Sequence, residues 1–347
     1  MQETVLLVHS NSVIIIFVLL FCTEINSQTY PVERVDYLLR TGISCIVVQD
    51  YELAQSSFIS LEKEFSELPL GKIYLAVNKI ATAVDFAQDF DEDFIIKNLN
   101  EAKVQSEELI DSDEHNIWYH YFLALAEGYS AYYHALSESW FSAFSTGFSA
   151  LSIFEHILNS NKNFYEAYIA IGTFEYWKSR KMEYMNWLPF NNDNKKNGMD
   201  LLIVAIDSSS YNTYLAINSL IWIYIDQQKY DAAIQLSEKA LSDHPVSRIF
   251  KWGMARAYEE IDPTISIKLY LEILNSYPAN LKENYINEIS LKHKIAQQYA
   301  KIGDMKVAIN YCDDILSIKN IPEKTKEKLV ERMERIKLLK YELLKGN

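Results

Sequence analysis

The sequence predicts an all-α protein, an α-solenoid built from antiparallel helix pairs. Three observations predict it. From about Val32 onward apolar residues recur at three- and four-residue spacings, with hardly any strand-like alternation. Gly and Pro are scarce, 9 and 7 in 347 residues, whereas sandwiches, barrels and dinucleotide-binding folds use glycine freely in their turns. Breaks between the helical stretches fall at regular intervals, which is the mark of an internal repeat. With 49% hydrophobic and 23% charged residues the chain has ample apolar surface for a large core, so global disorder is excluded. A formal net charge of -14 excludes a general binder of nucleic-acid backbones.

The N-terminus reads as a targeting segment. Residues 13–22, VIIIFVLLFC, are ten apolar positions in a row. That is short for a bilayer span and suits the apolar core of an export signal. Ser27 is a small residue at a cleavage position, and Gln28 would begin the mature chain. Residues 1–12 hold no Lys or Arg, and Val5 to Cys22 is uncharged throughout, which fits a retained anchor. Phe21 stands where a lipoprotein signal needs a small residue before Cys22. Residues 1–27 are therefore expected to be a signal peptide or membrane anchor. The mature chain is expected to be exported, periplasmic or cell-envelope associated, and membrane-anchored if the segment is not cleaved. Its loss removes Glu3 and Glu24 and leaves a charge of -12. Cys45 and Cys312, 267 positions apart, read as buried small hydrophobes and not as a disulfide.

The remaining chain divides at helix stops. Acidic runs (Asp85 to Asp93, Asp111 to Glu114), Asn/Ser-rich stretches (Asn159 to Asn163, Asn191 to Asn197, Ser208 to Ser210) and the prolines Pro245, Pro278 and Pro322 separate roughly fifteen helices. These make about seven antiparallel pairs and a final long helix. Residues 28–210 are expected to be divergent helical repeats with an aromatic-rich centre. Residues 211–320 are expected to be regular repeats, and 321–347 a C-terminal capping helix.

The register between pairs carries a resemblance. Ile217, Leu220, Tyr224, Tyr230, Ala233, Ala240 and Pro245 in one unit, and Trp252, Ala255, Tyr258, Tyr270, Ile273 and Pro278 in the next, repeat at 33 to 34 residues. Ile295, Tyr299, Gly303, Ala308 and Ile315 supply a third unit, and Gly42, Tyr51, Ala54 and Phe58 an early one. In these residues the chain resembles the tetratricopeptide repeat (TPR) family. The stretch from Glu175 to Pro245, with Leu188-Pro189-Phe190 ahead of Gly198, is also similar to TPR-like proteins of the inclusion-body-clearance type. The resemblance implies a right-handed superhelix and a non-catalytic scaffold that binds a protein or peptide on its concave face, lined by the first helix of each pair. It places Asn218, Trp222, Arg248, Trp252 and Arg256 on that face.

Between Trp118 and Phe154 lie twelve aromatics in 37 residues. Trp140, Phe144, Phe148 and Leu151 share one stripe of a helix that is uncharged from Ser139 to Phe154. The stretch fits a buried core helix or an aromatic-lined groove. The second reading makes the protein a carrier of a small apolar ligand or lipid, in a pocket between residues 118 and 190. Trp187 and Phe190 lie on an apolar segment that either plugs the body or meets a partner. The final helix carries an apolar stripe (Leu329, Met333, Ile336, Leu339, Leu343), with eight Lys/Arg against five Glu over residues 322–347. It fits a solvated cap or a contact with an acidic membrane or partner.

No glycine loop for phosphate, nucleophile elbow or close metal-ligand spacing occurs in the sequence, so no enzyme, cofactor or metal is expected. His120, Glu127 and His134 recur every seven residues, about 10.5 Å along a helix and too far apart for one ion. The acidic body favours a basic or neutral protein partner.

Overall fold

The computed structural model describes residues 28–182, 193–278 and 285–345. The expected signal or anchor segment, Trp187 and Phe190 lie outside the described residues. Fifteen α-helices and no strand occur among those described. They are α1 (Glu33–Val47), α2 (Tyr51–Glu64), α3 (Leu70–Asp85), α4 (Glu92–Ser112), α5 (Ile117–Leu136), α6 (Trp140–Ser160), α7 (Tyr165–Met182) and α8 (Lys195–Ser208). The regular half follows with α9 (Thr213–Asp226), α10 (Tyr230–Asp243), α11 (Arg248–Ile261), α12 (Pro263–Ser276), α13 (Tyr285–Lys301), α14 (Met305–Leu316) and α15 (Glu323–Lys345). Each helix packs on the next, and α3 also touches α5, α7 touches α9, α9 touches α11 and α13 touches α15. This is a TPR-like solenoid of seven helix pairs ending in a long helix.

The predicted stops work as caps. Asp50, Asn116, Asp262 and Asp304 each accept a backbone N–H from the first turn of the helix they precede. Pro263 occupies a first-turn position where no intrahelical N–H is needed. The turn inside a pair repeats as well. At Asp50, Ser139, Lys229 and Asp304 the backbone N–H donates to a carbonyl five residues back, at 2.8 to 3.0 Å. The residue before each of these is left-handed: Gln49, Glu138, Gln228 and Gly303. This is the Schellman closure of a helix C-terminus. Gly303 fits it without strain, whereas the other three carry a Cβ in a conformation that costs about 1–2 kcal/mol.

Packing follows the small residues. Ala233 and Ala308 are fully buried where the second helix of a pair crosses the first, and Cys45 and Cys312 are buried and unpaired. Gly172 of α7 and Gly198 of α8 meet backbone to backbone; a Cβ on either would lie within 2.7 Å of the other's carbonyl oxygen. One apolar core runs from Val35 to Ala257, so the stretches before and after residue 210 share a core. On α15, Leu329 and Ile336 are buried against α13 and α14, and Leu343 is buried as well.

The array also closes on itself. The N-terminal helices lie along the starts of α9, α11, α13 and α15. Arg40 Nη1 donates to the Ser210 carbonyl at 2.9 Å, and the Tyr211 hydroxyl donates to Asp36 at 2.6 Å. Gln49 Oε1 accepts the first N–H of α11, that of Arg248, at 2.8 Å. Beyond it, Lys324 and Lys328 of α15 reach Asp89 at 2.6 and 2.8 Å. Acceptors and carboxylates thus meet helix N-termini, whose free N–H groups and dipoles favour them.

Gln228 is exposed and only its backbone geometry matters. Gln228→Gly is expected to raise stability by about 0.5–1 kcal/mol, read as a higher midpoint in thermal or urea unfolding.

Candidate partner-binding surface

The inner face of the solenoid is the surface the sequence assigns to a partner. Its centre is filled. Glu166, in the first turn of α7, is buried among tyrosines. Its carboxylate accepts backbone N–H bonds from Ser210 and Tyr211, both at 2.7 Å, and the Asn212 side-chain amide at 2.9 Å. The Tyr121 hydroxyl donates to it at 3.2 Å. Among the described residues no Lys or Arg pairs with it. Burial raises the hydroxyl pKa values of Tyr74, Tyr121 and Tyr129 well above the ordinary value, so these groups stay neutral. The turn before α9 is thereby tied to α5 and α7, and through Tyr74 to α3.

A second node joins α11 to the end of α3. The Arg248 guanidinium grips the Asp85 carboxylate through Nε, at 2.9 Å, and Nη2. It also lies over the rings of Phe86 and Tyr277, at 5.7 and 4.7 Å. The Asp85 carbonyl accepts from the Tyr277 hydroxyl at 3.1 Å and the Asn287 amide at 2.7 Å. Burial alone would lower the Arg248 pKa; the Asp85 carboxylate outweighs it and the net shift is upward.

The predicted contact residues divide accordingly. Arg248 is buried and committed to Asp85. Arg256 pairs with Glu259 at 2.6 Å, and Glu259 also takes Lys294 at 3.1 Å and the Tyr270 hydroxyl at 2.5 Å. Trp252 is half-buried, edge-on to Tyr270 at 5.5 Å. Asn218 is half-buried with an unpartnered Oδ1, and only Trp222 is open to solvent, at 36%. The inner face therefore serves closure more than it offers a groove.

The aromatic centre also departs from expectation. Trp118, Tyr121 and Phe164 form a packed set with ring centroids 5.0 to 5.8 Å apart. The α6 stripe does the opposite: Trp140, Phe141, Phe144 and Phe148 are 53 to 89% exposed. Among the described residues it is not part of the buried core. Lys181 lies 5.6 Å over the Trp140 ring, and Phe148 meets Phe174, which Lys178 covers at 5.6 Å. A hollow of about 150 Å³ between α4, α5 and α6 holds the Lys103–Glu127 pair and is lined by Ser130 and Thr146. It is smaller and more polar than a site for a lipid or drug-sized apolar ligand requires. Sequence reading found the stripe and could not find its exposure, because periodicity locates a face without saying what lies across from it.

At the far end of the inner face, His293 of α13 is 3% exposed and neither ring nitrogen has a partner. Burial pushes its pKa down to about 4, and the charges of Arg332, Arg335 and Lys294 push the same way.

No protein-family model and no curated protein matches the sequence. Solved structures with a similar arrangement include a thermophilic TPR protein of Thermus thermophilus, TTC0263, at 16% identity and TM-score 0.40, covering 64% of this chain and 98% of that one. Another is the human IFIT1 dimer with m7Gppp-AAAA, at 12% identity and TM-score 0.42, covering 93% and 84%. A third is the P58(IPK) TPR domain, at 13% identity and TM-score 0.25, covering 87% and 98%.

Two outcomes follow from these nodes. Arg248→Ala leaves Asp85 buried without its cation and is expected to cost about 3–5 kcal/mol. Faster hydrogen exchange in α1–α3 than in α4–α6 would show that closure is what is lost. The folded pKa of His293 lies below the ordinary 6.5. Between pH 6.5 and about 4 the unfolded chain takes up a proton that the folded chain refuses, so stability falls as pH falls through that window, by up to about 3 kcal/mol. His293→Gln is expected to flatten this slope in urea titrations at stepped pH.

Proposed function

We propose that the protein is a non-catalytic TPR-like scaffold, exported to the cell envelope, that binds a protein partner through the outer face of α6. The observation that carries the reading is the row Trp140, Phe141, Phe144 and Phe148, four large aromatics open to solvent on one helix face. Isolated exposed apolar residues need no explanation, but a contiguous aromatic row on a soluble surface marks a contact site. Tyr, Trp and Phe supply most of the energy at the centres of protein interfaces. The flanking Lys178 and Lys181 would form a polar rim. Ala150, Phe154 and Ile157 of the same helix are buried, so it has a distinct inner side. The occupant that fits is a protein segment with an apolar stripe, basic or neutral overall, since the chain's charge of -14 repels an acidic one. Export is supported by the apolar run at residues 13–22.

Affinity capture with the mature chain, compared with its Phe141→Ser/Phe144→Ser variant, tests the site. Both side chains are exposed, so the variant is expected to keep the wild-type unfolding midpoint. A specific partner should lose about tenfold or more in affinity, and its association should slow between low salt and 0.5 M NaCl. Equal capture by both proteins would remove α6 from the interface.

A further inference from the structure

The tight turn between α5 and α6 sets the register of that antiparallel pair. Ser149 Oγ donates to Glu127 Oε1 at 3.4 Å, and a Cβ on Gly147 would lie 3.7 Å from that of Ala131. Carried toward the start of α5, the same register brings His120 opposite His156. Their ring centroids are 5.0 Å apart, with the planes inclined at 54°. In the sequence the neighbours of His120 at heptad spacing are Glu127 and His134; the fold gives it a closer histidine on the next helix. His120 is half-buried and His156 is exposed, so solvent reaches the pair.

The tautomer of His120 is fixed. Its Nε2 lies 2.8 Å from the Glu114 carbonyl oxygen, which can only accept, so Nε2 carries the proton. Nδ1 keeps its lone pair, and among the described residues no hydrogen bond engages it. A histidine that gives one N–H to a backbone carbonyl and keeps its other nitrogen for an ion is the usual arrangement of a metal ligand. The spacing fits as well. Metal–nitrogen bonds of ~2.0–2.1 Å at a tetrahedral angle place two ligating imidazole centroids about 5.1–5.3 Å apart. The observed 5.0 Å is close to this, and the exposed His156 ring can turn to aim a nitrogen at a shared ion. Asp111, Asp113 and Glu114, all exposed at the end of α4 and in the turn before α5, add a negative local field that favours a cation.

We propose that His120 and His156 form a two-histidine binding site for a divalent transition-metal ion of the class that prefers imidazole: zinc, nickel or copper. The two rings clamp the ion between α5 and α6. Water fills the other positions, since among the described residues no third His, Cys, Asp or Glu stands in coordinating position. Hard cations such as magnesium take oxygen ligands and are not expected to bind. The thiols of Cys45 and Cys312 are buried and do not compete. The site uses neither Phe141 nor Phe144, so its failure would not bear on the partner face of α6.

The test is calorimetric titration of the full chain at pH 7.5 with zinc chloride, and in a separate arm with magnesium chloride. The expected result is one zinc per chain and no magnesium. The electron paramagnetic resonance spectrum of the copper-loaded chain should carry hyperfine splitting from two nitrogens. Zinc should also raise the unfolding midpoint, because it joins two helices only in the folded chain. His156 is exposed, so His156→Gln is expected to keep the metal-free midpoint, to lose the rise with zinc and to weaken zinc at least tenfold, the least that loss of an outer-shell partner costs. His120→Gln should weaken zinc as much. His134→Gln, on the same helix but outside the pair, should leave binding unchanged. No zinc binding, magnesium binding as tight as zinc, or zinc binding unaltered by His156→Gln would overturn the proposal.

Discussion

The Glu166 carboxylate is the point on which the rest of the molecule turns. It lies in the interior without a cation, and its charge is met by donors alone: two main-chain N–H groups of the turn before α9, the Asn212 amide and the Tyr121 hydroxyl. Isolated burial of a carboxylate is costly, and convergent hydrogen bonds are what make it tolerable. The turn it organises begins the regular half of the array, and the same turn touches α1 through Tyr211 and Arg40. A solenoid is ordinarily a quasi-one-dimensional object in which each unit meets only its neighbours. Here one buried acid ties the fourth pair to the fifth and, through Tyr121, to the third, while its partner Asn212 reaches Tyr74 of the second.

Closure changes what the inner face can do. In an open array the first helix of each pair presents its side chains to a groove, and Arg248, Trp252 and Arg256 have the spacing for that. In this protein Arg248 holds Asp85, and Arg256 joins a network around Glu259. Buried ion pairs contribute little net stability compared with apolar packing, but their geometry is specific. Removing one partner is far costlier than never having had the pair. The Asp85 and Asp89 contacts therefore set the register of the N-terminal helices against the later repeats, which apolar packing alone would specify less sharply.

Much of this fold was legible in the sequence, and the residues show why. Asp50, Asn116, Asp262 and Asp304 act locally, each within its own turn, so their meaning survives without tertiary context. The Ala233 and Ala308 positions are similarly short-range, because a helix pair is one contiguous stretch of chain. In the middle of the chain the breaks at Asp85 to Asp93, Asp111 to Glu114 and Asn159 to Asn163 fall at helix ends, whereas the turn between α5 and α6 is not among them. Partnerships between residues 163 to 239 positions apart, such as Asp85 with Arg248 and Asp89 with Lys328, leave no local trace. They depend on the accumulated curvature of several pairs. The same blindness explains α6. Its aromatic row has the periodicity of a core face, and only the path of the neighbouring helices decides that it is left largely exposed.

Charge shows the difference between a whole-chain property and a local one. A net value of -14 describes the field felt at a distance, and it governs solubility and the sign of partners steered from afar. It says little about a recess a few ångströms wide. The acidic loop after α3 engages two cations of α15 directly, Lys324 and Lys328 at 2.6 and 2.8 Å. An acidic protein can thus carry a basic helix end against its own acidic loop, as Asp89 does with Lys324 and Lys328. Curvature, through contacts of this kind, determines which charged groups of this chain meet each other.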